Sequence, residues 1–479
     1  MTSLTIHPSR AEALKEIINT VTQCSSFSTP CGSLACQKNS FLTSTSSPVV
    51  AHTYFKEPEA KSKKKKSSSP PPPPSSGSAI ICFEDSVFFP AGGGQPCDKG
   101  TISINPDLTI NVTDVENVSG LAILTCQIPP TKTPESLSST LSTLITQKTP
   151  ITQAIDWKVR ADYMQQHSAQ HLISAIAMEP EYKIDTQSWS LQEGLTCYID
   201  FTVDPDKPIE HYTATFADIE SVVNAKIRDN LSMTPSWMDP NDPEFKEKVR
   251  SRLLPPGLTG DIRLVEIAGV DVNTCCGTHV PTLSHLQLIK FFKFQKVKST
   301  TLRVSYAAGQ RLIDSMAESF DRTSKITSIL TVNENGHVDS VTKLIEEKKS
   351  SEKEIRALNQ KLVDLQIATM MAADDNVVSI DLGAADKSFM ICLATSFLSL
   401  ESNKTCLMIE GAEGKDEGSF FLVGPESVVG VKGVGAKVGE ILGGKGGGKG
   451  SKFQGKGASV RSGLADAVIY LSSTLNQQL

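Results

Sequence analysis

Two short motifs constrain this chain more than anything else in it: HSAQH at residues 167–171 and CCGTH at residues 275–279. Met164, His167, His171 and Ser174 recur at three- and four-residue steps, which puts them on one face of a helix with neighbouring Cβ atoms roughly 5–6 Å apart. In the second motif Cys275 and His279 flank Gly277, a residue suited to a tight turn. Two imidazoles from one segment, with a thiolate and an imidazole from the other, make a four-donor nitrogen and sulfur set of the kind that holds a single tetrahedral Zn2+. Either pair alone is a weak signal, but together they use three of the eight histidines in the chain. Spacing leaves one point open, because Cys276 stands three residues before His279 where Cys275 stands four before it. Any fold that closes the shell must join two segments far apart in sequence.

At 479 residues the chain exceeds a single ordinary core, and two to four domains are expected. A hydrophobic share of 39% and a charged share of 21% match a soluble globular protein, and no apolar run approaches the roughly 20 residues of a membrane span. The net charge of -6 excludes a uniformly basic nucleic-acid coat while leaving room for a local basic surface. The opening MTSLTIHPSRAEALKEIINT lacks the apolar stretch of a secretory signal and carries Glu12 and Glu16. Eleven cysteines without an export signal read as reduced thiols or metal ligands, and a cytoplasmic location is expected.

The expected class is α+β. After an N-terminal extension (1–35) comes a small β-rich domain (36–135), in which NSFLTSTSS, SAIICFEDSVFFP and TISINPDLTINVTDVENV are read as strands. A Lys/Pro/Ser insertion at 59–78 is too polar to order itself. An α/β domain holding both motifs spans 150–312, with a helix at HYTATFADIESVVNAKI. A helical segment follows at 320–373. Within it Val341, Leu344, Ile355, Leu358, Leu362 and Leu365 keep heptad spacing around the polar Lys348 and Ser351, which predicts a helical hairpin or short coiled coil. The last domain, 375–479, is α/β and glycine-rich, and KSFMICLATSFL and KTCLMIEG are both read as strands. In it Gly443 to Lys449 match GxxxxGK, but Gly450 stands where a nucleotide-binding loop needs Ser or Thr.

Three stretches in order, FFPAGGGQPCDKG, HSAQHLI and CCGTH, make this chain resemble the alanyl-tRNA editing proteins, freestanding relatives of the alanyl-tRNA synthetase editing domain. The resemblance covers about 36 to 310, and the tail GGKGGGKGSKFQGKG resembles the C-terminal domain of the long form. It implies that His167, His171, Cys275 and His279 hold zinc, which decides for Cys275 over Cys276. Gly92, Gly93, Gly94 and Gln95 fall on the family's glycine-rich signature near the substrate; by themselves they read as a tight turn. Cys276 departs from the synthetase motif, which usually has glycine there. The implied activity is hydrolysis of the aminoacyl ester on alanine tRNA mischarged with serine or glycine. Gln170, Ser168 and Gln192 are candidates for placing water, and Lys445, Lys449, Lys452 and Lys456 for meeting tRNA phosphates. The rival reading is a non-catalytic zinc-containing tRNA-binding or scaffold protein. HSAQH lacks the Glu that follows the first His in metalloproteases.

Overall fold

The computed structural model describes residues 6–23, 32–56, 77–118, 120–250, 260–384, 387–400 and 402–476, in two compact units, Met1–Arg322 and Thr323–Leu479. Nearly all of the Lys/Pro/Ser insertion lies outside the described residues.

The first unit opens with strands β1 (Ile6–His7), β2 (Ser44–Phe55), β3 (Ser78–Phe83), β4 (Gly100–Asn105), β5 (Leu108–Val118), β6 (Leu121–Gln127) and β7 (Pro150–Ile155). Six of them close on themselves in the order β2-β3-β6-β5-β4-β7, because β2 also pairs with β7. Closure removes the unpaired edges that an open sheet would expose. It depends on β2 changing partner: Ser44–Pro48 runs against β7 and Val49–Phe55 against β3, the latter with an irregular step between Val49 and Ala51. Pro48 sits opposite Pro150 at the change-over, a place where neither strand needs an amide donor. Apolar residues alternate inward along β5, where Leu108, Ile110 and Val112 are buried. The segment read as an N-terminal extension contributes β1, paired parallel to β2, and helix α1 (Arg10–Gln23), which buries Ala13, Ile17 and Val21 on the barrel wall. Helices α2 (Ala35–Lys38) and α3 (Pro134–Gln147) complete this part.

The rest of the unit is built on helix α4 (Trp157–Ala177). Its start is set by Asp156, whose carboxylate accepts from the amides of Lys158 and Val159. After it come β8 (Thr186–Ser190), β9 (Cys197–Thr202), α5 (Ile209–Arg228), β10 (Met233–Met238), α6 (Pro243–Lys248), β11 (Ile262–Ile267), β12 (Asp271–Thr274), β13 (Ile289–Lys298), β14 (Thr301–Ala308) and the start of α7 (Gln310–Leu330). Strands β13-β14-β9-β8 form one antiparallel sheet and β10-β11-β12 a second. Met164, Leu172, Ile173 and Ile176 of α4 share one core with Phe216, Ile219 and Val223 of α5 and with the inward residues of the larger sheet. Helix α4 is joined to the barrel by a fully buried ion pair, in which Arg160 donates to both oxygens of Asp98 and to the carbonyls of Ser40 and Val87.

The second unit carries α8 (His337–Ala372), β15 (Val377–Asp381), α9 (Lys387–Ser399), β16 (Thr405–Glu410), β17 (Gly418–Val423), α10 (Glu426–Val429), α11 (Val434–Ile441), β18 (Gly444–Lys449), β19 (Lys452–Gly457) and α12 (Leu464–Asn476). The heptad residues from Val341 to Leu365 all lie on one uninterrupted helix, α8, so no hairpin turn falls among them. KSFMICLATSFL, expected as a strand, is helix α9. Its Met390, Leu393, Ala394 and Phe397 recur at helical steps and bury against Val363 and Met370 of α8, a tertiary preference that overrides the β-like composition. The five-stranded sheet runs β15-β16-β17-β19-β18, and only the β15–β16 pair is parallel. Among the described residues no helix is long and apolar enough to cross a membrane.

Candidate metal centre

His167 and His171 project from the middle of α4, and Cys275 and His279 from the loop after β12. Their four donor atoms lie within 4.8 Å of one another. Cys275 Sγ is 3.6 Å from His167 Nε2 and 3.2 Å from His279 Nε2. A tetrahedral zinc with usual bond lengths sets such donors roughly 3.5 Å apart, so the residues fit a metal of that kind.

The ring orientations are fixed from behind. Gln95 Oε1 accepts from the amide of Thr278 (3.1 Å) and Gln95 Nε2 donates to Thr278 Oγ1 (2.7 Å). A backbone N–H can only donate, which settles which way the Gln95 amide points. Its oxygen therefore accepts the Nδ1 proton of His167 at 2.8 Å and leaves Nε2 unprotonated toward Cys275. Ser168 Oγ accepts from the Val280 amide (3.1 Å) and lies 3.2 Å from His279 Nδ1, which turns His279 Nε2 the same way. Burial holds all three imidazoles neutral. It is the main reason that His167 and His279 lie well below their ordinary value and that His171 is lowered to about 3, with the Arg250 and Arg263 guanidiniums adding to the effect at His171. Burial also raises the Cys275 thiol, an effect opposed by the Gly277 amide and by Arg263.

These shifts set a direction for pH. Unfolded histidines take up protons near 6.5, whereas the folded ones stay neutral far below that, so under pH 6.5 the unfolded state binds more protons. The metal-free protein is expected to lose stability as pH falls from 6.5, with His171 alone contributing up to about 2 kcal/mol of the loss at pH 5. Urea midpoints in chelator at pH 7.5 and pH 5 check this.

Two glycines are required by close approach. A Cβ on Gly277 would stand 2.2 Å from His167 Cε1 and 2.8 Å from Gln95 Oε1. Gly277→Ala is expected to displace the ring and weaken metal affinity by about 10- to 100-fold, measured by competition with a chromogenic chelator. Gly93 and Gly94 have φ of 55° and 83°, and the Gly92 and Gln95 backbones bond to each other across them, which makes the signature a two-residue hairpin turn. A Cβ on Gly94 would strike Trp189 of β8 at 2.8 Å. The Trp189 ring in turn lies 4.7 Å from that of His167.

A cavity of about 500 Å³ opens beside the cluster. Gly92, Gly93 and Asn117 lie on it, as do Gln170, His171, Trp189, Arg263, Cys275 and Cys276. The structure thus gathers Gly92, Gly93, Gln170, His171 and Cys275 around one space. Ser168, expected to place water, is buried behind His279 and contacts its Nδ1. Gln95 does the same for His167, and Gln192 is exposed and does not line the cavity. Sequence reasoning missed Arg263, which donates to the Cys275 carbonyl (2.6 Å) and to that of Gln37, while Gln37 Nε2 donates to the Cys276 carbonyl (2.9 Å). A glutamine at the edge of the barrel and an arginine in a strand carry no local signal of this role.

The four lysines of the tail lie on the β18–β19 hairpin, far along the chain from the cluster. Lys445 is directly opposite Lys456, and Lys449 opposite Lys452, all exposed. Gly443 to Lys449 runs into an edge strand rather than a strand–loop–helix, as the Gly450 departure implied.

Fold and site together define a domain with a candidate metal cluster beside a cavity, built against a closed β-barrel. The family model described as "Threonyl and Alanyl tRNA synthetase second additional domain" matches residues 262–305, and the chain is 35% identical over 378 residues to the alanyl-tRNA editing protein Aarsd1 of Rattus norvegicus, covering 78% of this chain and 84% of that one. The chain belongs to the alanyl-tRNA editing protein family. It is also 32% identical to Aarsd1-A of Xenopus laevis, over 83% of this chain and 88% of the relative, and 28% identical to the alanine–tRNA ligase of Methanosphaera stadtmanae, over 60% of this chain and 30% of that enzyme. Among solved structures, the C-Ala domain of Aquifex aeolicus alanyl-tRNA synthetase matches with 22% identity and a TM-score of 0.19, covering 21% of this chain and 89% of the domain.

Proposed function

We infer that this protein is an aminoacyl-tRNA deacylase, which hydrolyses the ester of serine, and of glycine, wrongly attached to alanine tRNA. The observation that carries the reading is the juxtaposition of the four-donor cluster with a 500 Å³ cavity large enough for an aminoacyl group and part of its nucleoside. Family membership supplies the substrate class. The borderline-soft donor set makes zinc the proposed ion, held by His167, His171, Cys275 and His279. Four protein donors would complete a tetrahedral shell, so a bound zinc would tie α4 to the CCGTH loop and shape the cavity wall.

The chain's own residues do the rest. His171 and Cys275 form the inner wall, Gly92 and Gly93 leave room for the ribose, and Gln170 offers a side-chain amide to the aminoacyl group and the attacking water. The β18–β19 hairpin is proposed as the tRNA handle. Like charges directly opposite on neighbouring strands destabilise a hairpin, and a phosphate backbone would relieve that cost at Lys445/Lys456 and Lys449/Lys452.

The reading is tested by incubating the zinc-loaded protein with seryl-, glycyl- and alanyl-tRNA(Ala) and following release of the amino acid, with and without a chelator. Absence of release from the seryl ester would favour the scaffold reading. Changing all four hairpin lysines to glutamate is expected to weaken tRNA binding and to flatten its dependence on salt, by about one unit of slope for each phosphate that a lysine neutralises; unchanged affinity and slope in filter binding would remove the hairpin from the interface.

A further inference from the structure

Gln170 is 5% exposed and lines the cavity, yet its Oε1 is a buried acceptor that no protein donor satisfies. Its other amide atom is engaged: Nε2 donates to Ser174 Oγ, one helical turn on, at 2.9 Å. Ser174 Oγ also accepts from Thr186 Oγ1 at 2.8 Å, where β8 begins. The serine is itself held in place, because Arg250 Nη1 donates to its carbonyl at 3.2 Å and the residue is 3% exposed. With two donors converging on Ser174 Oγ, the amide nitrogen is drawn back into the protein and the amide oxygen is left for the cavity.

We propose that Ser174 and Thr186 are positioning residues that present Gln170 Oε1 as the acceptor for the side-chain hydroxyl of a bound seryl group, and so set selection against alanine. The inference rests on the reading that the cavity takes an aminoacyl ester. Gln170 lies deep, beside the ligand His171, whereas Asn117, Gly92 and Gly93 are exposed at the rim. An ester entering with its nucleoside at the rim brings the amino-acid side chain to the deep end. Serine supplies a proton donor there, while alanine's methyl leaves the buried oxygen unpaired, which is the kind of site that discriminates strongly against an analogue lacking the hydroxyl.

The test uses amide-linked analogues that cannot be hydrolysed, 3′-serylamino-, 3′-alanylamino- and 3′-glycylamino-3′-deoxyadenosine, titrated calorimetrically into the full-length zinc-loaded protein. The wild type is expected to prefer the seryl analogue over the alanyl one by about tenfold or more. Ser174→Ala should remove most of that preference, and Thr186→Val part of it, whereas Thr186→Ser, which keeps the hydroxyl, should retain it. Zinc content and circular dichroism should be unchanged in all three variants. Loss of affinity for all three analogues alike would mean that the oxygen holds the shared ammonium or that the serine is only structural, and would overturn the proposal. So would a preference that survives Ser174→Ala, or no binding by the wild type. Deacylation measured alongside separates the two ideas: a seryl preference without hydrolysis overturns the enzymatic reading alone, and hydrolysis without a preference overturns this inference alone.

Discussion

His171→Ala and Cys275→Ala proteins are expected to lose their zinc and at least about 100-fold in kcat/KM for seryl-tRNA(Ala). Substitutions one step removed from a metal already cost 10- to 100-fold, so loss of a ligand should exceed that range. The reason lies in how the site is built. His171 and Cys275 come from α4 and from the loop after β12, and both line the cavity, so loss of either donor breaks the bridge between its walls. Binding energy of a structural metal is folding energy, which makes a fall in thermal stability a second expected result. Metal analysis, differential scanning fluorimetry and single-turnover deacylation on the same preparations check all three. A variant that kept one equivalent of zinc and the full rate would refute the ligand assignment.

Asp98→Ala is expected to destabilise the first unit by about 3–5 kcal/mol. The substitution leaves the Arg160 guanidinium, fully buried, without its counter-charge, and breaking a buried pair from one side costs that much. For a unit of this length the loss corresponds to a fall in melting temperature of about 4–8 °C. The amide of Phe89, which donates to Asp98 at 2.6 Å, is orphaned as well. Replacing both partners together, Asp98→Leu with Arg160→Met, removes the uncompensated charge and should recover part of the loss, though not the Phe89 bond. Since Arg160 lies two turns before His167 on α4, the single variant is also expected to loosen metal binding, read as a higher zinc dissociation constant. A melting temperature unchanged by Asp98→Ala would show that water reaches Arg160.

Two candidate donor pairs are legible in the chain itself, while the fold is what places Cys275 Sγ beside His167 and His279. Helical spacing within HSAQH is a local property, and the CCGTH turn names its own glycine; the fold adds that this glycine is obligatory because His167 leaves no room for a Cβ. The glycine signature is also legible as a turn, and in the fold Gly92 and Gly93 lie on the cavity beside the cluster. The roles of Gln95 and Ser168 are not legible. Both are expected near the substrate, yet both face the far side of a ligand ring, because which side of a histidine a neighbour occupies depends on the packing of a whole barrel against α4. In the same way an apolar run such as KSFMICLATSFL suits a strand or a helix equally, and only the faces of α8 and β16 decide it. Barrel closure turns on β2 pairing with β7, a contact between segments about a hundred residues apart that carries no local pattern.

By itself, then, the sequence determined two candidate donor pairs, save for the choice between Cys275 and Cys276, and the helix and turn that carry them, since each follows from spacing within a few turns of chain. Tertiary structure alone decided which nitrogen of His167 and of His279 faces Cys275 and which glutamine backs the His167 ring. Those outcomes depend on hydrogen bonds whose partners lie 72 to 183 residues apart, and no local rule reaches across that distance.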